Sequence, residues 1–244
     1  MSAGVDLIGG THYREGQTSS IARGKKNGVV SSSPLADTAT VARTADPDKD
    51  AVRSAMKAAR AALDPHARRA AAAAAAERLA SLPAFARART VSLYSALSSE
   101  LDPTPVFGAL VRRGVRVAYP RVVPGQRDLV FAWVTDLEAL VPGTFGIREP
   151  ARDAPSALPA EIEVFVVPGL AFDLAGHRVG WGQGHYDATR ALRPGPWWIG
   201  YGYDLQLVPS VPSRPHDQPM DAVVTDVRTV SEFGVSSHSR EKGS

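Results

Sequence analysis

This sequence predicts an α/β fold, a single open and mostly parallel sheet flanked by helices, and three observations point to it. Short runs rich in β-branched and aromatic residues recur along the chain: TVSLY at 90–94, VRVAYP at 115–120, LVFAWV at 129–134, EVFVVPG at 163–169, WWIGYG at 197–202 and AVVT at 222–225. Segments of helical character lie among them, such as PTPVFGALVRRG at 103–114, closed by its glycine, and another near 185–192. Strands that alternate with helices build parallel sheets, because each crossover brings the chain back to start the next strand from the same end. The third observation is that the most apolar strand, 163–169, runs on into a glycine-rich loop. Ligands of open α/β sheets bind at loops beyond the carboxyl ends of strands.

The elements follow in order. Residues 1–46 are rich in Gly, Ser, Thr and Ala without helical or strand periodicity, and they read as a disordered N-terminal extension. Residues 235–244 read as a flexible tail, and 47–234 as one α/β domain. The domain opens with DKDAVRSAMKAARAALD, where Val52, Met56, Ala59 and Leu63 repeat at helical spacing. Asp64-Pro65 stops this helix and starts a second. The second carries the run Ala70 to Ala76; alanine is the strongest helix former, so a surface helix without a function of its own is expected. WVTDLEALVPG at 133–143 is expected to supply sheet packing.

Composition narrows the function. The 244 residues are 44% hydrophobic and 22% charged, with a formal net charge of only +3 and no long Lys/Arg run, so nucleic acid is not implied as a partner. The absence of cysteine excludes disulfides, thiolate zinc sites and a cysteine nucleophile. No apolar run approaches the roughly 20 residues that span a bilayer, and the N-terminus lacks a signal-peptide pattern. The expectation is a cytoplasmic protein acting on small molecules, with no nucleic-acid or membrane partner and no obligate protein partner.

Candidate chemistry centres on RVGWGQGHYD at 178–187. Gly180, Gly182 and Gly184 alternate with larger residues, a spacing that fits neither a Walker A loop nor the GxGxxG dinucleotide fingerprint. Backbone bare of Cβ atoms admits a phosphate chain, but a tight strand-to-helix turn explains the pattern about as well. Arg178 before the glycines can balance phosphate charge, and Asp187 after them can cap the helix or hold Mg2+. Trp181 reads as a stacking wall or a hydrophobic lid, and His185 as a proton carrier or a packing residue. Asp173 suggests a metal ligand, although DLAG is better read as a β-turn. In PSRPHDQPMDAVVT at 212–225, His216 and Asp217 sit between prolines, a rigid mount for metal or acid–base chemistry or simply a tether for the last strand. No GxSxG nucleophile elbow is present.

PGLAFDLAGHRVGWGQGHYD resembles the signature of the 5-formyltetrahydrofolate cyclo-ligase, or methenyltetrahydrofolate synthetase, family. KDAVRSAMKAARAAL resembles that family's opening helix, LYSALSSELDPTPV its glutamate-bearing strand end, GTFGIREP its mid-chain segment and PHDQPMDAVVTD its C-terminal stretch, all in family order. The resemblance implies the architecture shared with ribose-phosphate isomerases and CoA-transferases. It also implies ATP- and Mg2+-dependent closure of 5-formyltetrahydrofolate to 5,10-methenyltetrahydrofolate, releasing ADP and phosphate. It places ATP on Lys49, Arg53, Arg178, Val179, Gly180, Trp181, Gly182, Gln183, Gly184, His185 and Tyr186. It places folate on Glu100, Trp181, Gly182, Gln183, Gly184 and His185, and Mg2+ on Asp187 and Asp217. Arg178 and Tyr186 carry the catalytic roles.

Three positions depart from the family pattern: His185 stands where tyrosine is usual, Ala188 where many members have arginine, and Gln183 where glycine or lysine is common. If a lysine there holds phosphate, Arg178 or Arg190 must replace its charge. Two rival readings remain at this stage: a phospho-sugar or CoA-type enzyme of similar fold, and a diverged relative that binds folate or nucleotide without turnover.

Overall fold

The computed structural model describes residues 47–97, 99–215 and 217–231. The extension at 1–46, the tail at 235–244 and His216 therefore lie outside the described residues.

The chain opens with α1 (Pro47–Ala61) and α2 (Pro65–Ala80), then the single turn α3 (Pro83–Arg87). Asp64 caps α2 by accepting from the backbone N–H groups of His66 and Ala67, which explains why the helical pattern restarts at the Asp-Pro pair. The alternating part comprises β1 (Thr90–Ser92), α4 (Thr104–Arg112), β2 (Arg116–Arg121) and β3 (Val130–Trp133). It continues with the hairpin-like pair β4 (Leu140–Pro142) and β5 (Arg148–Pro150), the short β6 (Ser156–Ala157) and the central β7 (Val164–Pro168). Beyond β7 come β8 (Ala171–Asp173), β9 (Arg178–Val179), α5 (His185–Ala191) and β10 (Trp197–Tyr201). The last elements are β11 (Leu207–Val208), β12 (Ala222–Val224) and β13 (Thr229–Ser231).

The main sheet has eight strands in the order β13-β12-β10-β7-β1-β2-β3-β6. The inner run from β12 to β2 is parallel, and β13, β3 and β6 add to its edges antiparallel. The predicted open, mostly parallel sheet is therefore present. LVFAWV joins it in the antiparallel sense because the chain reaches β3 from β2 without a crossover helix.

Side chains of β7 alternate between two cores, as the two-residue strand period requires. Val164 and Val166 pack with α2, α3 and α4 residues such as Leu79, Phe85 and Leu110. Phe165 and Val167 face the other way, with Phe131, Phe172 and Trp198. There the Phe165 and Trp198 rings stack at 4.2 Å. The alanine-rich α2 is not wholly superficial: Ala72, Ala75 and Leu79 are buried, since small side chains let the helix lie close to its neighbours. The 133–143 segment does supply packing, with Val134 and Leu140 buried in the core and Leu137 against it, and it does more besides. It forms a short helical turn and β4, which among the described residues pairs with β5 alone and helps to wall a cavity.

A second, three-stranded sheet, β11-β8-β9, stands beside the main one. Val52 and Met56 of α1 pack on it, against Ala171, Val179 and Val211. That contact turns the neighbouring charged stripe of α1 toward the loops at the strand ends.

Candidate active site

In the main sheet the chain moves one way from β1 to β2, then returns to place β7 on the other side of β1. The carboxyl ends of β1 and β7 thus flank a topological switch point, where open α/β sheets hold their ligands. Glu100 lies on the connection that follows β1, and the glycine loop on the connection that follows β7. They meet there: Trp181 Nε1–H donates to Glu100 Oε1 at 2.7 Å.

Glu100 is 6% exposed, and its other oxygen accepts from the Leu97 N–H at 2.9 Å. Burial pushes its carboxyl pKa up; the hydrogen bonds from Leu97 and Trp181 and the charge of Arg60 pull it back only in part. A cavity of about 380 Å3 opens beside it, walled by Tyr94, Asp102, Tyr119, Leu137 and Arg148 among others. Aromatic walls with a few polar groups suit a flat heterocycle that carries N–H donors.

Helix α1 supplies cations along one stripe. Lys49, Arg53, Lys57 and Arg60 follow one another at intervals of four, four and three residues, which places them on one face, with Lys57 Nζ 4.6 Å from the Trp181 ring. Lys49 pairs with Asp217, and Arg53 Nε donates to the Gly180 carbonyl at 3.0 Å while its Nη1 pairs with Asp50. Three stretches remote in sequence are thereby joined: the first helix, the glycine loop and the proline-rich segment near 217.

Within the loop, Arg178 Nη2 lies 3.0 Å from Asp187 Oδ1, and its guanidinium sits 5.6 Å from the Tyr186 ring. Desolvation and the charge of Glu100 raise the Tyr186 phenol well above its ordinary pKa, so it stays protonated at neutral pH. Gly182 and Gly184 adopt positive φ, 99° and 73°, which residues with a Cβ rarely do. Gly184 is also the residue at which the loop turns into α5.

The two proposed metal ligands are neighbours through one link, the Gln218 N–H, which donates to Asp187 Oδ1 at 3.3 Å. Among the described residues, Asp187 Oδ2 has no partner. An all-oxygen pair with an open carboxylate oxygen fits a hard divalent cation. No group of three or more His, Cys, Asp or Glu converges among the described residues, so other ligand positions would fall to phosphate oxygens and water.

Some sequence candidates lie apart from this arrangement. The side chain of Val179 is buried in the core with Met56, which leaves only its backbone for a ligand. His185 directs Nδ1 to the Arg127 carbonyl at 2.8 Å, and Gln183 is exposed. Arg190 forms a two-pronged pair with Asp221. Asp173 serves a turn, accepting from the N–H groups of Ala175, His177 and Val211. Sequence reasoning missed Arg60 and the cavity wall. Continuing the Lys49/Arg53 stripe through Lys57 to the next turn would have reached Arg60.

A small-molecule enzyme of the open α/β class, with an anion-type loop and paired carboxylates at the switch point, is what this fold and site define. The chain matches the 5-formyltetrahydrofolate cyclo-ligase family over residues 45–226, and it belongs to that family. It is 35% identical over 157 residues to the 5-formyltetrahydrofolate cyclo-ligase of Escherichia coli K12, covering 62% of this chain and 85% of the relative. The Mycolicibacterium smegmatis enzyme of the same name is 34% identical over 150 residues, covering 58% and 76%. The solved 5,10-methenyltetrahydrofolate synthetase of Aquifex aeolicus superposes with a TM-score of 0.66 at 29% identity, covering 80% of this chain and 98% of that one.

Proposed function

We propose that this protein closes 5-formyltetrahydrofolate to 5,10-methenyltetrahydrofolate, using ATP and releasing ADP and phosphate. One observation carries the reading: Glu100, the glycine loop and the cationic stripe of α1 meet at a single switch point beside a cavity of about 380 Å3.

The formyl oxygen of an amide is a poor leaving group and must be activated. Its lone pair forms a bond to the γ-phosphorus while the β–γ bridging bond breaks, and that electron pair leaves with ADP. N10 then attacks the resulting iminium phosphate carbon and gives up its proton. Phosphate departs with the C–O bonding pair, leaving the methenyl cation. In this reading the protein positions both substrates and balances charge.

Glu100, when ionised, accepts pterin N–H donors in place of the Trp181 indole, while Trp181 and Tyr186 border the ring. Lys49 and Arg53 hold phosphate oxygens, releasing Asp217 and the Gly180 carbonyl as they do so. The loop from Arg178 to Tyr186 lines the nucleotide, with backbone N–H groups around Gly180, Gly182 and Gly184 close to the phosphates. Arg178 stabilises charge on the transferred group, and the protonated Tyr186 phenol donates a hydrogen bond. Asp187 and Asp217 would hold Mg2+, which supplies charge neutralisation at the phosphates when bound. Of the described residues, no helix is long and apolar enough to cross a membrane. Residues 47–234 are proposed as the functional domain, acting on small molecules in the cytoplasm.

The test is absorbance at the methenyl-folate band with purified protein, 5-formyltetrahydrofolate, Mg2+ and ATP, each omitted in turn. A rise that needs all of them is expected. No rise from folded protein that still binds folate would replace this reading with that of a binder without turnover.

A further inference from the structure

Arg60 is buried at 1% exposure, yet it has almost nothing to bind. Its Nε and Nη2 make no hydrogen bond. Nη1 reaches the Gly169 carbonyl at 3.3 Å, an oxygen already served by Gln206 Nε2 at 2.7 Å and by no means short of a donor. The Glu100 carboxylate lies 4.0 Å away, beyond hydrogen-bond reach. Nor does Glu100 need Arg60 for its hydrogen bonds, since Trp181 and Leu97 already donate one to each of its oxygens. The Trp181 ring lies 5.5 Å from the guanidinium.

A buried guanidinium with idle donors is costly, because the water it gave up has not been replaced. A residue present only for packing would be better served by an apolar side chain of the same length. Idle buried donors are instead what a site holds ready for a group that arrives with its own oxygens. The position of Arg60 says which group that is. It is the last cation of the α1 stripe, beyond Lys49 at Asp217 and Arg53 at Gly180. It stands between Glu100 at the end of β1 and Gly169 just beyond β7, with the glycine loop's Trp181 covering it. That point lies between the nucleotide end of the site and the folate cavity.

We propose that Arg60 is a catalytic residue of the phosphoryl-transfer step, its Nε and Nη2 holding two oxygens of the phosphoryl group as it passes from ATP to the formyl oxygen. This rests on the cyclo-ligase reading above. As the formyl O–P bond forms and the bridging P–O bond breaks, charge spreads over three phosphoryl oxygens, and the planar fork of arginine matches two of them. No proton moves to or from Arg60. Trp181 must leave Glu100 for the pterin to bind, and the same movement uncovers the fork.

The experiment compares wild-type protein with Arg60→Met and Arg60→Lys. It measures kcat at the methenyl band, affinity for 5-formyltetrahydrofolate without ATP, affinity for ADP, and thermal midpoint. Arg60→Met is expected to lower kcat by about 100-fold or more, the scale for losing one transition-state donor. Both affinities should stay within severalfold of wild type, and the thermal midpoint should be unchanged or higher. Arg60→Lys keeps the charge but not the fork, and should recover only part of the lost rate at an undiminished midpoint. Nearly normal kcat in Arg60→Met would overturn the proposal. So would a loss of folate affinity that matches the loss of rate, or a fall in midpoint that lysine repairs together with activity. A wild-type protein that forms no methenyl product would instead sink the cyclo-ligase reading, and this proposal with it.

Discussion

Two arginines of this molecule each lie beside an acid and a tryptophan, and they are held in opposite ways. Arg190 on α5 grips Asp221 with both prongs, at 3.2 Å each, while its guanidinium sits 5.7 Å from the Trp198 ring. Asp221 in turn accepts from the Trp198 N–H at 2.7 Å, so the pair ties α5 to the amino end of β10. Arg60 faces Glu100 at 4.0 Å without a hydrogen bond. The first arrangement is complete in itself; the second has donors to spare. Arg190 finds its partners within the fold and braces it, whereas Arg60 keeps donors that the fold leaves unmet.

The contrast can be broken or sharpened by mutation. The largest effect is expected at Asp187. Asp187→Asn should reduce turnover on the order of 100- to 1000-fold, as expected for a lost charge-stabilising group, in protein that stays folded although the buried Arg178 loses its ionic partner. Wild-type-like activity there would remove Asp187 from the metal site. Arg190→Met should do the reverse, lowering unfolding free energy by about 1–3 kcal/mol because Asp221 loses its guanidinium partner, while KM for both substrates changes little. Denaturant melts read the first quantity and steady-state kinetics the second. If Arg190→Met affects catalysis more than stability, the contrast between the two arginines fails.

Glu100→Gln should raise KM for the folate by about tenfold, close to 1.4 kcal/mol. The pH dependence follows from the raised Glu100 pKa. Only the ionised carboxylate accepts from the pterin, so folate affinity is present above that raised pKa and falls as pH drops through it. The acid limb should therefore lie above the ordinary glutamate range in wild type and be absent in Glu100→Gln. The smallest effect belongs to Trp181→Phe. Removing the indole N–H takes away a bond that lowers the Glu100 pKa, so the acid limb should move slightly to higher pH. A shift to lower pH would mean that the ring, rather than its N–H, governs Glu100.

Much of this was legible in the sequence, for physical reasons. The strands of the parallel core are short, apolar and β-branched, and burial on both faces demands such runs. The glycines of the loop advertise unusual backbone. Contacts that depend on the tertiary fold were hidden. Lys49 and Asp217 are 168 residues apart, and neither residue type signals the other. In a chain with 28 lysines and arginines, Arg60 looks like an ordinary solubilising charge until the fold buries it. The sequence was least informative for β8 and β9, whose three and two residues are too few to show a period. Their pairing is what turns α1 toward the site.

The Phe172 ring of that small sheet lies against backbone that carries no side chains. A Cβ built on Gly169, Gly200 or Gly202 would come within 2.6, 2.5 or 3.0 Å of it. These positions cannot vary independently. Alanine at Gly200 becomes tolerable only after Phe172 has shrunk, and shrinking Phe172 first opens a void among Phe165, Trp198 and Met220. Any lineage crossing that valley passes through a poorly packed ancestor unless two changes arrive together. The aromatic and its glycines are therefore expected to be inherited as a block, and to be exchanged between relatives only as a block.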